Sequence, residues 1–221
     1  MARLILWDLI RLMLWPIVFF VYRLRAYGQR NIPDSGPVLL LCNHQSYLDL
    51  VALGVTIPHR HFYAMARRTL FRGWFGGLLR ALNAFEVDQE RGDLRAIRRA
   101  IELLKTGYLV LIFPEGSRTP DGITREFQEG VMLLLRRARP VVVPAAVEGV
   151  YDAWPIWSKR PRLRARIAAA YGNPVTAEQL LELAPHEALD RLRGDVEALR
   201  ADLQRKLQRQ TGGRYPQHPR T

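Results

Sequence analysis

The sequence predicts an α/β fold, in which a mixed, mostly parallel sheet is flanked by helices on both faces and preceded by an N-terminal membrane-associated helical segment. Short apolar runs alternate with amphipathic stretches along most of the chain, and this alternation is typical of a sheet covered by helices. Several runs are rich in valine and lack polar alternation, which indicates central strands. The 221 residues, 48% of them hydrophobic, fit one globular domain with terminal additions.

The N-terminal segment, assigned to residues 1–27, is strongly apolar. Residues 4–22 carry only two charges, Asp8 and Arg11. Pro16 predicts a kink or break, and the charge-free part at 12–22 is shorter than the roughly 20 apolar residues that cross a bilayer. We therefore expect a membrane-seated hairpin or an interfacial helix; a buried core helix and a full transmembrane span are the alternatives. No cleavage site for a secretory signal peptide follows. Aromatic side chains would lie at the headgroup level and arginines toward anionic lipid, namely Trp7, Trp15, Tyr22, Arg3, Arg11, Arg23 and Arg25.

The body of the chain, residues 28–208, carries the strand and helix patterns. Strands are predicted at 37–42, 61–66, 84–87, 108–113, 140–147 and 163–171, and helices between them at 47–55, 70–82, 93–105 and 127–137. A capping box from Thr176 to Gln179 starts another helix. The long helix predicted at about 186–208 is interpreted as a solvated flank without a catalytic role, and residues 209–221 are expected to form a disordered tail.

The composition indicates anionic partners. A net charge of +12, from 33 basic and 21 acidic residues, favours phosphorylated metabolites, anionic lipid or nucleic acid. Cys42 is the single cysteine and lies in an apolar run, so we expect a core residue in a reducing compartment. His59 and His61 have no cysteine or carboxylate at ligand spacing, so no metal site is expected.

A first candidate site is NHQSYLD at 43–49, between two apolar runs. On one helix, residues five apart lie about 140° around the axis, so His44 must sit on the turn before a helix that starts near Asp49. Asp49 could then accept a hydrogen bond from one imidazole nitrogen and leave the other basic toward a substrate hydroxyl. The alternative is structural, because Ser46 and Asp49 also have the spacing of a capping box.

A second candidate site is FPEGSRTPDG at 113–122, directly after a predicted strand. A tight turn with exposed backbone N–H groups and a guanidinium suits a phosphate, although such turns are also often purely structural. The stretch does not match the P-loop pattern, and Ser117 does not lie in a G-x-S-x-G elbow. Nucleotide hydrolysis and serine hydrolysis are therefore disfavoured.

NHQSYLD, FPEGSRT and VVPAAVEG (142–149) follow one another in this order, and together they resemble the glycerolipid acyltransferases that acylate lysophosphatidic acid and related lysophospholipids. The resemblance covers about residues 30–175. It implies that His44 is the general base for a glycerol hydroxyl attacking an acyl thioester, with Asp49 orienting the imidazole. It also implies an acceptor phosphate site in which Arg118 is the direct ligand, Glu115 organises the turn, and Gly116 and Ser117 complete it.

Two blocks depart from the pattern of this family. Its members commonly have an arginine directly after a V-D-like pair, whereas here Gln89 follows Asp88 and Arg91 comes two places later. Arg67 and Arg68 stand where a lysine-containing segment is usual. These three arginines complete the expected substrate-binding set. The acceptor therefore stays open between lysophosphatidic acid, which would give phosphatidic acid, and another lysolipid such as a lyso-aminolipid or lysophosphatidylglycerol.

The resemblance also implies the partners. No cofactor is expected beyond the co-substrate, acyl-CoA or acyl-carrier protein, and no nucleic acid. The expected partners are a membrane lipid acceptor and an anionic membrane surface, at the cytoplasmic face of the cell membrane. The aromatic and basic runs at 71–82 and 151–166 suit that interface. The rival class, a non-catalytic membrane-surface or nucleic-acid-binding protein, gives no reason for the two motifs to occur together.

Overall fold

Eight strands form one sheet in the computed structural model, which describes residues 2–57, 59–88 and 93–216. The strand order is β1-β7-β6-β2-β5-β3-β4, and β8 pairs with β6. The central strands β6, β2, β5, β3 and β4 are mutually parallel, whereas β7 and β8 run antiparallel to β6. The mixed, mostly parallel sheet is thus confirmed. The strands are β1 (Arg25–Tyr27), β2 (Val38–Cys42), β3 (Phe62–Arg67), β4 (Ala84–Val87), β5 (Leu109–Ile112), β6 (Val141–Glu148), β7 (Ala168–Tyr171) and β8 (Val175–Thr176).

Helices cover both faces of this sheet. Along β2, Val38, Leu40 and Cys42 face one hydrophobic cluster while Leu39 and Leu41 face another, as the two-residue period of a strand requires. The first cluster is covered by α1 and α2, and the second by α4, α5, α7 and α8. The helices are α1 (Ala2–Tyr22), α2 (Asp49–Thr56), α3 (Gly73–Ala81), α4 (Leu94–Lys105), α5 (Gly130–Ala138), α6 (Val150–Ala153), α7 (Ala177–Leu181) and α8 (Pro185–Thr211).

The N-terminal segment differs from the expected hairpin, because α1 runs unbroken through Pro16. An internal proline costs about 3 kcal/mol, and anchoring at both ends offsets that cost. Trp7 packs edge-on against Phe62, with ring centroids 5.4 Å apart, and Tyr22 is buried at the other end. The expectation that Trp7 and Tyr22 lie at the headgroup level is therefore wrong, since both pack into the domain core.

Most of α1 outside these contacts is exposed. The stretch Ile5–Tyr22 has a mean hydropathy of 1.8 and only 17% of it is buried. By length and composition alone it could cross a membrane. Large apolar side chains, among them Leu12, Met13 and Phe20, are exposed. The helix thus uses one edge to hold the domain and leaves a broad apolar face open.

Two predicted boundaries shift. The sheet begins at Arg25, inside the segment assigned to residues 1–27, because β1 pairs with β7. The last helix continues to Thr211, so the expected tail at 209–221 begins as helix, and residues 217–221 lie outside the described residues. Nor is α8 only a solvated flank. Its buried face packs against β6 and β7 through Leu192, Val196, Leu203 and Leu207.

Candidate active site

Both candidate motifs lie at one edge of the sheet. The loop 43–49 follows β2, the turn 113–122 follows β5, and Glu148 ends β6. Because β2 is parallel to β5 and to β6, all three carboxyl ends meet at the same edge, where open α/β sheets bind their ligands.

Asn43 anchors the first motif to the neighbouring strand. Its Nδ2 donates to the carbonyl of Val147 at 2.9 Å, and its Oδ1 accepts from the Val147 N–H at 2.8 Å. The side chain therefore replaces a pair of backbone hydrogen bonds at the end of β2. The position of His44, the next residue, is thereby fixed relative to the end of β2.

His44 and Asp49 meet as the strand-turn-helix arrangement requires. Nδ1 of His44 lies 2.7 Å from Oδ2 of Asp49, whose side chain is fully buried, while the imidazole stays 21% exposed. The same Oδ2 accepts the backbone N–H groups of Gln45 at 2.7 Å and Ser46 at 2.9 Å. A carboxylate with three donors favours an imidazole whose Nδ1 carries the proton. No described residue hydrogen-bonds Nε2, which is therefore available to a substrate.

Only one of the two bonds of the capping box is seen, the bond from the Ser46 N–H to Asp49 Oδ2. Helix α2 begins at Asp49 itself, and its N-cap residue, Leu48, makes no side-chain cap bond. Ser46 instead donates from Oγ to the Trp154 carbonyl at 2.7 Å and accepts the Leu48 N–H. Asp49 thus turns back toward the loop that carries His44 and does not cap its own helix.

Glu115 joins the second motif to the first. Its Oε1 accepts the backbone N–H of His44 at 2.7 Å and its Oε2 accepts that of Arg125 at 2.9 Å. Burial raises the pKa of Glu115 to about 7, although these two N–H groups favour the charged form. The ring of Phe113 stacks on the His44 imidazole with centroids 4.0 Å apart. The carboxylate is therefore placed to organise the two loops.

The turn after β5 directs Arg118 toward Tyr47. Gly116 has φ +76°, and a Cβ there would come within 2.1 Å of Nε2 of Gln128, so the turn requires glycine. The guanidinium Cζ of Arg118 lies 3.5 Å from the centroid of the Tyr47 ring. Its Nη1 is buried without a hydrogen-bond partner among the described residues. Ser117 is exposed at the tip of the turn.

Arg67 and Arg68 lie at the carboxyl end of β3, on the same sheet edge but two strands from β2. They line a cavity of about 420 Å³ together with two further arginines, Arg72 and Arg80. Two carboxylates also line it: Asp88 lies 3.5 Å from Arg68, and Glu86 lies 2.5 Å from Arg80. Arg91 and Gln89 lie outside the described residues.

Sequence reasoning missed a buried ion pair beside the loop that carries His44. Nη1 of Arg200, on α8, lies 3.2 Å from Oε2 of buried Glu148, and the same guanidinium binds both carboxylate oxygens of Glu197. Burial raises the pKa of Glu148 to about 7, and Arg200 opposes that shift. Nε2 of Gln45 reaches Glu148 Oε2 at 3.5 Å and the Gly122 carbonyl at 3.1 Å. The position of Glu148 directly after a valine-rich strand could have marked it as a candidate site residue. Nothing in the sequence distinguished Arg200 from the other arginines.

Two further histidines, His59 and His61, lie near carboxylates. Nε2 of His61 lies 3.1 Å from Asp8, and Nε2 of His59 lies 3.8 Å from Asp34. Within the described ranges, no three His, Cys, Asp or Glu side chains are grouped to hold a metal ion.

Known protein families and relatives share sequence with this chain. The model of the family described as acyltransferase matches residues 23–148. A relative in Bacillus subtilis (strain 168), 1-acyl-sn-glycerol-3-phosphate acyltransferase, is 27% identical over 184 residues, which cover 83% of this chain and 89% of that protein. The human 1-acyl-sn-glycerol-3-phosphate acyltransferase alpha is 29% identical over 149 residues, which cover 66% of this chain but only 53% of the human protein.

A solved structure shares the fold. The crystal structure of the 1-acyl-sn-glycerophosphate (LPA) acyltransferase PlsC from Thermotoga maritima matches with a TM-score of 0.69. The match covers 81% of this chain and 72% of that one at 23% sequence identity. At this identity the likeness concerns the arrangement of the sheet and its helices.

Proposed function

The chain belongs to the acyltransferase family, and from this premise we propose that it moves a fatty acyl group from an acyl thioester to the free hydroxyl of lysophosphatidic acid, giving phosphatidic acid. The observation that carries the proposal is the 2.7 Å contact between His44 Nδ1 and Asp49 Oδ2. It leaves Nε2 as the basic atom at the edge of the sheet where the FPEGSR turn also lies. Such a base would take the proton of a substrate hydroxyl.

The reaction proceeds in two steps. Nε2 of His44 takes the proton of the acceptor hydroxyl as its oxygen attacks the thioester carbonyl carbon, and Asp49 stabilises the imidazolium that forms. The tetrahedral intermediate then collapses, the carbon–sulfur bond breaks, and the leaving thiolate receives the proton from the imidazolium. General-base catalysis supplies about 10² to 10⁴ in rate. Positioning of the two substrates and stabilisation of the oxyanion supply the rest.

Arg118 is the proposed ligand of the acceptor phosphate. Its side chain is partly buried, its guanidinium lies over the Tyr47 ring, and its Nη1 is buried without a partner among the described residues. A phosphomonoester oxygen would satisfy that donor with a charge-assisted hydrogen bond. Arg67 and Arg68, at the same edge of the sheet, add positive potential for the same substrate or for the phosphates of the donor. Arg91 is retained in the proposed set from the sequence.

The alternative acceptor is another lysolipid, such as lysophosphatidylglycerol or a lyso-aminolipid. Gln89 stands where the family commonly has an arginine, and Glu86 and Asp88 line the arginine-rich cavity. Both features reduce the positive charge available to a phosphomonoester. The enzyme class is the same for either acceptor.

The lipid acceptor agrees with the apolar face of α1, which suits association with a membrane. We place the enzyme at the cytoplasmic face of the cell membrane, where acyl-CoA and acyl-carrier protein are available. The thioester is a co-substrate, and the proposed chemistry uses no cofactor and no metal.

A donor and acceptor panel tests the proposal. Purified protein in vesicles would receive acyl-CoA or acyl-carrier protein, with lysophosphatidic acid, lysophosphatidylglycerol or a lyso-aminolipid as acceptor, and product would be measured by mass spectrometry. We expect transfer to lysophosphatidic acid, and a loss of at least about 100-fold in His44→Ala. Faster transfer to another lysolipid would establish the alternative. Undiminished turnover in His44→Ala would refute the assignment of the base.

A further inference from the structure

A loop beside the active site exposes aromatic, aliphatic and basic side chains together. Residues 156–164, here called the basic loop, read IWSKRPRLR. Trp157 is 60% exposed, Leu163 is 69% exposed, and Ile156 is exposed as well. They alternate with four exposed cations: Lys159, Arg160, Arg162 and Arg164. No acidic residue occurs between Asp152 and Glu178.

The basic loop is held by its own hydrogen bonds. The indole N–H of Trp154 donates to the Ser158 carbonyl at 3.0 Å, and the backbone N–H of Arg162 donates to the Ala153 carbonyl at 2.7 Å. The guanidinium of Arg162 lies 5.2 Å from the Trp157 ring centroid. The loop therefore presents its apolar side chains to solvent in an ordered frame, and apolar groups exposed together mark an interaction surface.

The frame of the basic loop touches both catalytic motifs. The Trp154 carbonyl accepts from Ser46 Oγ, and the Trp154 ring contacts Tyr47, with centroids 5.1 Å apart. The hydroxyl of Tyr151 donates to the Pro120 carbonyl at 2.7 Å and accepts from the Trp157 indole at 3.3 Å. Ile123, which is also exposed, follows Gly122, where an added Cβ would lie 3.5 Å from the Tyr151 ring. The exposed apolar residues thus lie around the mouth of the active site.

The carboxyl end of α1 reaches the same edge of the sheet. β7 begins opposite Glu148, at the carboxyl end of β6. Just before β7, the Ile167 N–H donates to the Tyr22 carbonyl. Near that end of α1, Phe20 is exposed, and Trp15 stacks on Phe19, with centroids 4.9 Å apart. Two exposed apolar surfaces, one on α1 and one on the basic loop, therefore lie at the edge that carries His44.

We propose that the basic loop and Ile123 form a second lipid-contact surface, which lays the mouth of the active site on an anionic bilayer. Charge complementarity identifies the occupant: lysine and arginine are attracted to anionic headgroups, and tryptophan partitions to the membrane interface. Leu163 and Ile156 would be buried at the boundary between headgroups and acyl chains. A nucleic acid has no comparable apolar region to bury them. If the proposed function holds, a lysolipid can present its hydroxyl to His44 while its acyl chain stays in the bilayer.

A fluorescent label tests the surface independently of catalysis. In the full chain with Cys42→Ser, Leu163→Cys would carry an environment-sensitive fluorophore, and Arg191→Cys would serve as the matched control. Arg191 is exposed in the first half of α8, which starts near the opposite edge of the sheet, where β8 pairs with the beginning of β6. Both variants retain α1, so any difference between them reports on the basic loop.

We expect the label at 163 to shift to the blue on phosphatidylglycerol vesicles and to be quenched by a lipid with a shallow spin label. On phosphatidylcholine vesicles the shift should be smaller, and the label at 191 should not respond. Equal responses at the two positions would overturn the proposal. So would a response to a duplex oligonucleotide without a response to vesicles.

A second variant links the surface to turnover. Arg160→Ser with Leu163→Ser leaves the contact between Trp157 and Tyr151 in place. We expect at least a fivefold lower kcat/KM for a long-chain lysolipid in vesicles, and unchanged kcat/KM for a short-chain acceptor that is monomeric in solution. Equal losses on both acceptors would show that the loop supports the fold and does not contact lipid. If the unmodified chain turns over no acceptor, the proposed function fails, and the label experiment still decides the lipid-contact surface.

Discussion

The guanidinium of Arg118 stacks on the ring of Tyr47, with Cζ 3.5 Å from the ring centroid. Tyr47 lies between His44 and Asp49 in the chain, so this contact joins the motif that carries the proposed base to the turn that carries the proposed phosphate ligand. A cation over an aromatic face is stabilised by about 0.5 to 2 kcal/mol. The contact holds the guanidinium over the Tyr47 ring, beside the loop that carries His44.

Removing the guanidinium of Arg118 should weaken binding of the acceptor and leave binding of the thioester nearly unchanged. Hydrogen bonds to a charged group contribute about 1.5 to 3 kcal/mol each, so Arg118→Ala should raise the apparent KM for lysophosphatidic acid at least tenfold. Arg118→Lys should recover only part of the loss, because an ammonium lacks the planar fork. Steady-state kinetics with each substrate varied in turn would check this. A raised KM for the thioester with an unchanged acceptor KM would reverse the assignment of the two substrates to the two motifs.

Tyr47 should act through Arg118. Tyr47→Phe keeps the aromatic face and should leave the acceptor KM within about twofold, whereas Tyr47→Leu removes the cation–π contact and should raise that KM about threefold to tenfold. In the background of Arg118→Ala, Tyr47→Leu should add little further. The double-mutant cycle measures this coupling. Additive effects would mean that Tyr47 acts independently of Arg118.

Asp49→Asn should remove the negative charge of this side chain while keeping the hydrogen bonds that hold the loop. Three N–H groups point at Oδ2, so the amide oxygen of asparagine can take its place while the negative charge is lost. We expect thermal stability within a few degrees and a loss of activity of about 100-fold or more. Asp49→Ala leaves those donors without a partner and should also unfold at lower temperature, since each unsatisfied buried group costs about 1 to 3 kcal/mol. Near-normal turnover in Asp49→Asn would contradict the proposed role.

The buried carboxylate of Glu148 should make stability depend on pH. Its pKa is raised from 4.5 to about 7, so the folded state holds this proton more tightly than the unfolded state does. The stabilisation is complete below pH 4.5 and is lost as the pH rises through about 7. A shift of this size corresponds to about 3 kcal/mol.

Urea unfolding of the wild type and Glu148→Gln, at pH 5 and pH 8, would measure this effect. The stability of the wild type relative to the variant should fall between the two pH values, because glutamine does not titrate. A difference that stays constant with pH would mean that Arg200 keeps Glu148 ionised throughout this range.

The exposed face of α1 should hold the protein on membranes without supporting its core. Because Trp7, Val18 and Tyr22 are buried, deleting the whole helix would disturb the fold. Replacing exposed Leu12, Met13 and Phe20 by serine should instead lower recovery with sedimented vesicles, with little change in melting temperature. As a matched control, Trp7→Ala should lower the melting temperature, since deleting a large buried side chain costs about 3 to 5 kcal/mol. Unchanged recovery of the serine variant would assign membrane binding to other surfaces.

Much of the candidate site follows from local sequence. The contact between His44 and Asp49 spans five positions, and a strand, a turn and a helix start bring the two side chains together wherever the rest of the chain lies. The FPEGSR turn is equally local, because it directly follows an apolar strand. The six predicted strands and the helices between them likewise depend on patterns within a few residues.

The contacts between distant segments needed the tertiary structure. Glu115 reaches the His44 N–H across 71 positions, and Arg200 reaches Glu148 across 52; no local pattern distinguishes these partners from the other charged residues of the chain. The short strands β1 and β8 span three and two residues, too few for a sequence pattern to predict, and their pairing with distant strands identifies them.

Hydrophobicity, finally, could not distinguish the interior of the protein from the interior of a membrane. Trp7 and Phe20 lie in the same apolar segment, yet one packs against Phe62 and the other is exposed. The sequence by itself determined the fold class, the pairing of His44 with Asp49, and the amphiphilic character of the chain. Only the packing of α1, the basic loop and α8 around the sheet decided which of the apolar and charged side chains are buried, which are paired, and which remain exposed. Burial and pairing depend on neighbours that are distant in sequence.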